Sequence, residues 1–269
     1  MASGHCEWGW PEPPVEPPGR GLLDGRRVVV TAAAGAGIGS AVARRALIEG
    51  ATVLISDIHD RRLSATCDRL EAETGSRPAA VTCDVTSEDD VQALMDAAAE
   101  RLGGIDVMMN NAGLGGSVRL VDMTDEQWSA VLSVTLDGTM RCTRAALRRM
   151  IEQGTGGAVV NNASVSGWRA QAEQAHYAAA KAGVMALTRC AALEAAEHGI
   201  RVNCVAPSLA WHPFLAKTAD ETLLADLARQ EAFGRPAEPW EVANVMVFLA
   251  SDLAGYMTGE VVSVSSQHP

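Results

Sequence analysis

Short apolar runs alternate along the chain with longer segments in which apolar residues recur every three to four positions. The short runs are rich in β-branched residues and apolar on both faces, which is typical of strands buried in a parallel sheet. They predict strands at Val28–Thr31, Thr52–Ser56, Ala79–Cys83, Asp106–Met109, Ala158–Asn161, Arg201–Val205 and Val261–Val264. The longer segments predict helices over residues 38–48, 60–73, 87–101, 125–151, 175–197, 221–232 and 239–250.

Two of these helices begin at residue pairs that form capping boxes, Ser87 with Asp90 and Thr124 with Gln127. Because strands and helices alternate over residues 21–269, the pattern predicts one α/β domain. We expect a doubly wound, seven-stranded parallel sheet of the Rossmann type. Residues 1–20 differ, since they contain five prolines and predict an extended or disordered arm. Alternatively, Trp8 and Trp10 pack on a neighbouring surface.

Composition narrows the classes of partner. The net charge of −11 argues against a nucleic-acid ligand, because a phosphate backbone requires a basic face. The chain lacks an apolar run of about 18 residues and a signal-peptide pattern, so we expect neither a membrane span nor export. Six cysteines occur without a C-x-x-C pair or metal-ligand spacing. Free thiols in a reducing cytoplasm and no metal site are therefore expected.

The first predicted strand continues into a glycine-rich turn, TAAAGAGIGSA at residues 31–41. Gly35, Gly37 and Gly39 lie where a strand becomes a helix, and backbone without side chains can approach a pyrophosphate there. The helix that begins near Ile38 would present free N–H groups to the same anion. An ordinary tight turn is the alternative interpretation of the same residues.

Two acidic residues follow later strands. Asp57 comes eighteen residues after Gly39, where a carboxylate can accept hydrogen bonds from the adenosine ribose and would repel a 2′-phosphate. This favours NAD over NADP, although Arg61 and Arg62 lie nearby and could neutralise an extra phosphate. Asp84 is placed to contact the adenine amino group. The alternative for both residues is a cap or turn role at the next helix.

The segment HYAAAKAG places Tyr177 and Lys181 four residues apart on an alanine-rich helix, so they share one face. A nearby ammonium favours the phenolate of a tyrosine, whose free pKa is about 10. Tyr177 can then act as a general acid or base on a carbonyl substrate. Ser164 follows the fifth strand and can bind the substrate oxygen. A surface Tyr/Lys pair and a turn serine are the alternatives.

Together these motifs resemble the short-chain dehydrogenase/reductase family from about residue 22 to 267. The resemblance adds CDV at 83–85, NNAG at 110–113 and VAP at 205–207 to the motifs above. It implies a nicotinamide cofactor, with Asn110 as scaffold. Further cofactor contacts are implied at Val85, Asn111, Ala112, Gly113, Tyr177, Lys181 and Pro207. It also implies a homotetramer or homodimer that associates through the helices over 125–151 and 175–197.

The chain departs from the family pattern at four substituted positions and one insertion. Ala32 stands where the first glycine of the turn is usual, and one residue is inserted before Gly37, so the turn must differ locally. Thr135 stands where the family has an asparagine in its catalytic set. It can serve if the backbone carbonyl does most of the work in the proton relay; if the asparagine side chain is needed, turnover suffers. Ser208 replaces the glycine after VAP, and His212 occupies the place of a threonine near the nicotinamide.

The loop near residues 208–233 is expected to cover the substrate. Trp211, Phe214 and Leu215 make its start apolar, and Trp168 follows Ser164, which favours a bulky, hydrophobic, cyclic substrate. Core or interface packing is the alternative for both tryptophans. Arg119 and Arg169 could bind an anionic handle; solvated surface arginines are the alternative.

Segments such as SDIHDRRL, NNASVSGWRAQ and TGEVVSVSSQ also resemble an actinobacterial subgroup that acts in steroid-ring catabolism. That resemblance implies a coenzyme A thioester of a bicyclic hexahydroindane-type acid as the small-molecule substrate. Three alternatives stay open: a 3-oxoacyl thioester, a simple secondary alcohol, and a dinucleotide-binding scaffold without turnover.

Overall fold

The computed structural model describes residues 9–211 and 221–266. Seven parallel strands form one sheet in the order β3-β2-β1-β4-β5-β6-β7. The strands are β1 Arg27–Val30, β2 Thr52–Asp57, β3 Ala79–Thr82, β4 Val107–Asn110, β5 Gly157–Asn162, β6 Ile200–Pro207 and β7 Val261–Val264. The predicted doubly wound Rossmann-type sheet is confirmed, and each strand lies within two residues of its predicted bounds.

Helices cover both faces of this sheet. Their bounds are α1 Ile38–Ile48, α2 Asp60–Thr74, α3 Glu88–Leu102, α4 Asp125–Leu132, α5 Gly138–Gln153, α6 Ala175–Ala195, α7 Glu221–Gln230 and α8 Pro239–Ala250. Both predicted N-terminal caps are confirmed. Ser87 Oγ accepts the Asp90 N–H at 3.2 Å, and Thr124 and Gln127 form a reciprocal capping box.

One predicted helix is wrong as a single element. Residues 125–151 do not form one continuous α-helix, because a π-helical turn, Ser133–Asp137, separates α4 from α5. Thr135 is fully buried in this turn, and its hydroxyl bonds to the backbone of Leu114. Gly138 then begins α5 against Val85, where a Cβ would lie 2.6 Å from Val85 Cγ2. These contacts hold the wider turn, and π turns of this kind often occur at functional sites.

The alternation of side chains along β1 divides the core into two layers. Val28 and Val30 pack in a cluster with residues of α1 and α8, whereas Val29 packs in a second cluster with residues of α3 and α5. Both layers are almost purely apolar, as expected for a parallel sheet covered on two sides. Among the residues that the structure describes, no helix combines the length and apolarity that a bilayer crossing requires.

Residues 9–20 form an extended segment that packs along α1 before the chain enters β1. The buried Glu49 carboxylate accepts the backbone N–H groups of Arg20 and Leu22 at 2.8 and 2.9 Å. The Arg45 guanidinium donates to the carbonyls of Pro17 and Pro18. Residues 9–20 are therefore extended, and Trp10 packs against Trp211, as the alternative interpretation expects. Trp8 lies outside the described residues.

Candidate active site

The polar ends of three neighbouring strands lie at one edge of the sheet. Asn110 of β4 pairs in register with Asn161 of β5, and Asn162 pairs with Val205 of β6. The ladder continues past β5, because the Ala163 N–H donates to the Val205 carbonyl at 2.8 Å. Ser164, just past β5, and Pro207, the last residue of β6, therefore lie at strand ends that are side by side. In open α/β sheets, this carboxyl edge is where ligands bind.

Lys181 is the centre of the catalytic candidates. Its side chain is 3% exposed, and Nζ donates to the Asn162 carbonyl oxygen at 2.6 Å. The same Nζ lies 5.5 Å from the centroid of the Tyr177 ring, which is itself only partly buried. A buried ammonium thus lies close to both the end of β5 and a partly buried phenol ring.

Ser164 is brought to this pair by a close contact between a turn and α6. The turn Val165–Gly167 follows Ser164, and a Cβ on Gly167 would lie 3.0 Å from the backbone nitrogen of Ala182. Ala182 directly follows Lys181, so the turn rests on the helix that carries both other candidates. Ser164 Oγ accepts the Ser166 N–H at 3.2 Å, which is part of the predicted turn role, and its side chain is 9% exposed.

Thr135 and Lys181 both lie close to Gly113. A Cβ at Gly113 would be 3.4 Å from Lys181 Nζ and 3.8 Å from Thr135 Oγ1. The threonine hydroxyl accepts the Leu114 N–H at 3.0 Å and donates to the Leu114 carbonyl at 3.2 Å. Its own carbonyl accepts from Thr139 Oγ1 at 2.7 Å. The Thr135 side chain thus holds the loop above Lys181 rather than reaching the ammonium itself.

The glycine-rich turn has the backbone geometry that its sequence departure requires. Ala32 has a left-handed φ of +50°, and Gly35 has a φ of +94°. Gly39 approaches closely, since a Cβ there would collide with the Ala32 carbonyl and lie 2.5 Å from the Asn111 amide nitrogen. Asn111 in turn donates to the Ala32 carbonyl at 3.0 Å. The turn that was predicted to differ is therefore held by side-chain contacts across the sheet.

The start of α1 has the properties of an anion cradle. Gly37 caps the helix without a capping side chain, and the first turn has no acidic residue within the part of the chain that is described. A Cβ built at Gly35 or Gly37 would meet no described atom within 4 Å, so the space in front of the helix is open. Open space, free N–H groups and a positive helix end fit a pyrophosphate.

The carboxylates of Asp57 and Asp84 each accept backbone hydrogen bonds that stabilise a turn. Asp57 accepts the Ala34 N–H at 3.1 Å and the His59 N–H at 3.0 Å, which ties β2 to the glycine-rich turn. Burial raises the pKa of Asp57, although the Ala34 amide and the Arg62 charge oppose that rise. Asp84 Oδ1 accepts both the backbone N–H and the hydroxyl of Thr86.

Two polar side chains in the site, those of Thr31 and Asn161, escaped the sequence interpretation. Thr31 Oγ1 accepts the N–H groups of Asn111 and Ala112 at 3.0 and 3.2 Å. The Asn110 amide donates to Asn161 Oδ1 at 2.8 Å, deep in the sheet. Their signal is a polar residue at the end of an otherwise apolar strand, because such a group must find a hydrogen-bond partner.

The residues proposed for the substrate side divide into two groups. Trp168 is 46% exposed beside the Ser164 turn, and Arg119 is also exposed. Trp211 instead packs edge-on against Trp10, with ring centroids 5.1 Å apart. Ser208 continues the ladder by donating its N–H to the Val264 carbonyl at 3.1 Å. His212, Phe214 and Leu215 lie outside the described residues.

Comparisons with known proteins agree with this geometry. A family model described as enoyl-(acyl carrier protein) reductase matches residues 32–266. A Mycobacterium tuberculosis protein, (5R,7aS)-5-hydroxy-7a-methyl-1-oxo-2,3,5,6,7,7a-hexahydro-1H-indene-carboxyl-CoA reductase, is 61% identical over 256 residues, which cover 95% of this chain and 98% of that protein. The 3-oxoacyl-(acyl-carrier-protein) reductase of Thermotoga maritima is 37% identical over 242 residues, which cover 90% and 97%.

Among solved structures, a short-chain dehydrogenase from Mycobacterium smegmatis superposes with a TM-score of 0.85 at 58% identity. The match covers 96% of this chain and 99% of that chain. Sequence identity at this level over nearly the whole length, the match of the family model and the close superposition of the folds leave one assignment. The chain belongs to the short-chain dehydrogenase/reductase family of oxidoreductases.

Proposed function

We propose that this chain is an NAD-dependent oxidoreductase that interconverts a secondary alcohol and a ketone on a bulky cyclic acyl-CoA. One observation carries the redox assignment: Lys181 Nζ lies 2.6 Å from the Asn162 carbonyl and 5.5 Å from the Tyr177 ring, beside the Ser164 turn. The Ser164 turn that follows β5 thus packs against α6, the helix that carries both Tyr177 and Lys181. Family members use a nicotinamide dinucleotide, which supplies or accepts the hydride when bound.

Each of the three groups has a distinct task in the proposed reaction. Tyr177 gives its phenolic proton to the carbonyl oxygen during reduction, or removes the hydroxyl proton during oxidation. Ser164 donates a hydrogen bond to the same oxygen and stabilises the charge that develops there. Lys181 places a buried ammonium 5.5 Å from the centre of the Tyr177 ring, where its charge would stabilise the negative charge that develops during proton transfer. Thr135 is proposed to support proton relay through its backbone carbonyl.

The cofactor would bind across the glycine-rich turn. Gly35, Gly37, Ile38 and Gly39 would hold the pyrophosphate, and Asp57 would accept the ribose hydroxyls. Asp84 and Val85 would lie against the adenine, and Asn111, Ala112, Gly113 and Pro207 would line the nicotinamide half. The Asp57 carboxylate repels a 2′-phosphate, which supports NAD over NADP. The opposing charge of Arg62 makes a direct comparison of the two dissociation constants the necessary test.

The substrate part of the proposal is supported by similarity and by surface chemistry. The relative at 61% identity is named for a bicyclic acyl-CoA. Trp168 exposes an indole beside Ser164, which suits a hydrophobic ring. Arg119 is exposed on the loop after β4, where a guanidinium could meet the phosphates of coenzyme A.

The test compares wild type with Tyr177→Phe on a panel of carbonyl substrates. The panel contains a bicyclic oxo-acyl-CoA, a linear 3-oxoacyl-CoA and a simple cyclic ketone, each with NADH and with NADPH. We expect the bicyclic thioester with NADH to have the highest kcat/KM. Tyr177→Phe should lower kcat by about a thousandfold while NADH affinity stays within twofold, because only the proton donor is lost.

A 3-oxoacyl thioester reductase is the second candidate, favoured by the 37% identical relative of that activity. A preference for the linear thioester would select it. A scaffold without turnover is the third, motivated by Thr135 and Ala32. Cofactor binding without any turnover that depends on Tyr177 would select that interpretation instead.

We also propose that the chain works as a homotetramer or homodimer in the cytoplasm. Leu193 of α6 is 82% exposed and Trp128 of α4 is partly exposed, which supports association through these helices. Light scattering after gel filtration should give a mass of two or four chains. Leu193→Asp should reduce that mass, and a wild-type monomer at micromolar concentration would contradict the proposal.

A further inference from the structure

We propose that Trp10 determines specificity for large ring substrates by positioning Trp211 at the substrate side of the crevice. This inference rests on the proposed function, because it assigns a part of the same site. The two indoles meet edge-on, with centroids 5.1 Å apart and planes inclined by 79°. Edge-to-face pairs of this kind are favourable beyond their buried area, so the contact restrains both rings.

Trp211 lies at the correct edge of the sheet to face a substrate. It follows Pro207, the last residue of β6, by four positions. Its N–H donates to the Ala237 carbonyl at 2.8 Å, and the Ala237 N–H donates to the Leu209 carbonyl at the same distance. This short parallel bridge holds the backbone of Trp211, whereas the Trp10 ring restrains its side chain.

The arm touches both flanks of the connection between β6 and α8. Trp10 contacts Trp211 on the β6 side, and Pro11 approaches Gly234 on the α8 side, where a Cβ would lie 3.8 Å from Pro11 Cγ. Gly234 has a left-handed φ of +64°, so the chain turns sharply at this contact. The adjacent arm residues Trp10 and Pro11 therefore lie close to Trp211 and Gly234, which belong to the connection that follows β6.

The arm is anchored firmly enough to position a side chain. Glu16 pairs with Arg44 of α1 at 2.7 Å, and the Arg45 guanidinium donates to the carbonyls of Pro17 and Pro18. Arg45 is itself buried beside Glu49, with which it forms an ion pair. Prolines between these anchors limit the backbone conformations of the arm. Trp10 is thus connected to the rigid first helix of the domain.

Substrate specificity then depends on two parts of the chain, the arm that contains Trp10 and the residues after β6 that include Trp211. An aromatic wall that is held in place favours a large, flat, apolar ring over a small ketone, because the wall loses little entropy when the ring binds. Without Trp10, the Trp211 side chain would lose this edge-to-face contact and would be less restrained before the substrate binds. Large rings should then bind more weakly, whereas small ketones, which do not reach the wall, should be unaffected.

The experiment is a double-variant cycle with Trp10→Ala, Trp211→Ala and the combined variant, measured on the largest and smallest ring ketones that wild type reduces. We expect Trp10→Ala to raise KM for the large ring about fivefold, the size expected for losing one aromatic pair. Its kcat, its KM for the small ketone and its NADH affinity should stay within twofold. In the Trp211→Ala background, Trp10→Ala should have no further effect.

Val15→Ala is the matched control, because Val15 lies in the same arm and its side chain is 94% exposed. It should match wild type on both substrates. Glu16→Gln loosens the anchor without removing an indole, and should raise the large-ring KM by about twofold.

An equal loss on both substrates, or additive effects in the double variant, would overturn the inference and leave the arm a purely stabilising segment. A wild-type enzyme that prefers free ring ketones to thioesters would overturn the proposed substrate class instead. The cycle on those ketones would still decide the role of Trp10.

Discussion

The proposed cofactor side of the sheet comprises β1 to β3, and the proposed catalytic side comprises β4 to β6. The two sides build the candidate site from different chemical groups. The cofactor side relies on backbone geometry: Ala32 and Gly35 have positive φ angles, and open space lies before Gly37. The catalytic side relies on side chains from distant segments, with Lys181 reaching the Asn162 carbonyl at 2.6 Å.

This difference explains which departures from the family pattern are tolerated. On the cofactor side, a missing glycine at position 32 is accommodated because the strained backbone is held by the Asn111 amide at 3.0 Å. On the catalytic side, Thr135 in place of asparagine changes which atoms are bonded, since its hydroxyl is committed to Leu114. A site formed by backbone groups depends on the backbone conformation, whereas a site formed by side chains depends on the identity of single residues.

Removal of the Lys181 ammonium should have the largest effect and would test the catalytic half directly. Lys181→Met keeps a flexible side chain of similar length but loses the charge that stabilises the phenolate. We expect kcat to fall about a thousandfold, with a smaller change in NADH affinity. Stopped-flow turnover and fluorescence titration measure both. A variant that keeps a tenth of wild-type kcat would contradict the role.

Substitution of two glycines on the cofactor side should separate effects on NADH binding from effects on protein stability. Gly39→Ala should lower the free energy of unfolding by about 2 kcal/mol, because its Cβ meets the Ala32 carbonyl and the Asn111 amide. Gly37→Ala should leave stability nearly unchanged, since its Cβ has open space, yet weaken NADH binding at least about tenfold by blocking the pyrophosphate. Thermal unfolding and titration compare the pair. Unchanged NADH affinity in Gly37→Ala would place the phosphates elsewhere.

The Arg27–Asp106 pair joins the two halves at the edge opposite the site. Asp106 accepts from Arg27 at 2.6 and 2.8 Å. Burial alone would raise the pKa of Asp106, but the Arg27 side chain and amide outweigh it and hold the pKa below the ordinary value. Because the folded-state pKa is lowered, the stabilisation is present above about pH 4 and is lost as the pH falls through the folded-state value.

Asp106→Asn should therefore cost about 2 kcal/mol of unfolding free energy at pH 7 and less at acidic pH. Urea unfolding at several pH values measures this change. Activity at neutral pH should stay within twofold, because the pair lies far from the carboxyl edge. A stability loss that does not depend on pH would mean that packing, rather than charge, carries the effect.

Ala32→Gly should have the smallest effect on the free energy of unfolding. It should stabilise the protein, whereas the substitutions above destabilise it or reduce its activity. The left-handed φ of +50° at Ala32 costs about 1 kcal/mol, and glycine removes that cost while adding some entropy to the unfolded chain. We expect a net gain of about 0.5 kcal/mol in urea unfolding. Ala33→Gly is the control, because Ala33 has no positive φ and is fully buried, so it should destabilise. Destabilisation by Ala32→Gly would mean that the methyl group contributes to packing.

The sequence predicted most of the fold because its signal is local and repeated. Buried parallel strands have continuous apolar sequences, and helices have apolar residues on one face. Every strand and most helices were therefore predicted to within a few residues. The π turn at Ser133–Asp137 escaped because one extra residue in a turn barely alters that periodicity. The candidate residues Ser164, Tyr177 and Lys181 were found because strand ends and helix spacing bring them to one edge.

By itself, the sequence determined the order of elements, the edge at which the ligand crevice forms and the chemical groups available there. Only the tertiary structure decided which groups meet: the Lys181 ammonium with the Asn162 carbonyl, the Thr135 hydroxyl with Leu114, and Trp10 with Trp211. The physical reason is that every residue has a backbone carbonyl and every residue except proline has a backbone N–H, so partners chosen from the backbone leave no mark in the sequence. Contacts between distant side chains likewise depend on packing geometry that local periodicity does not encode.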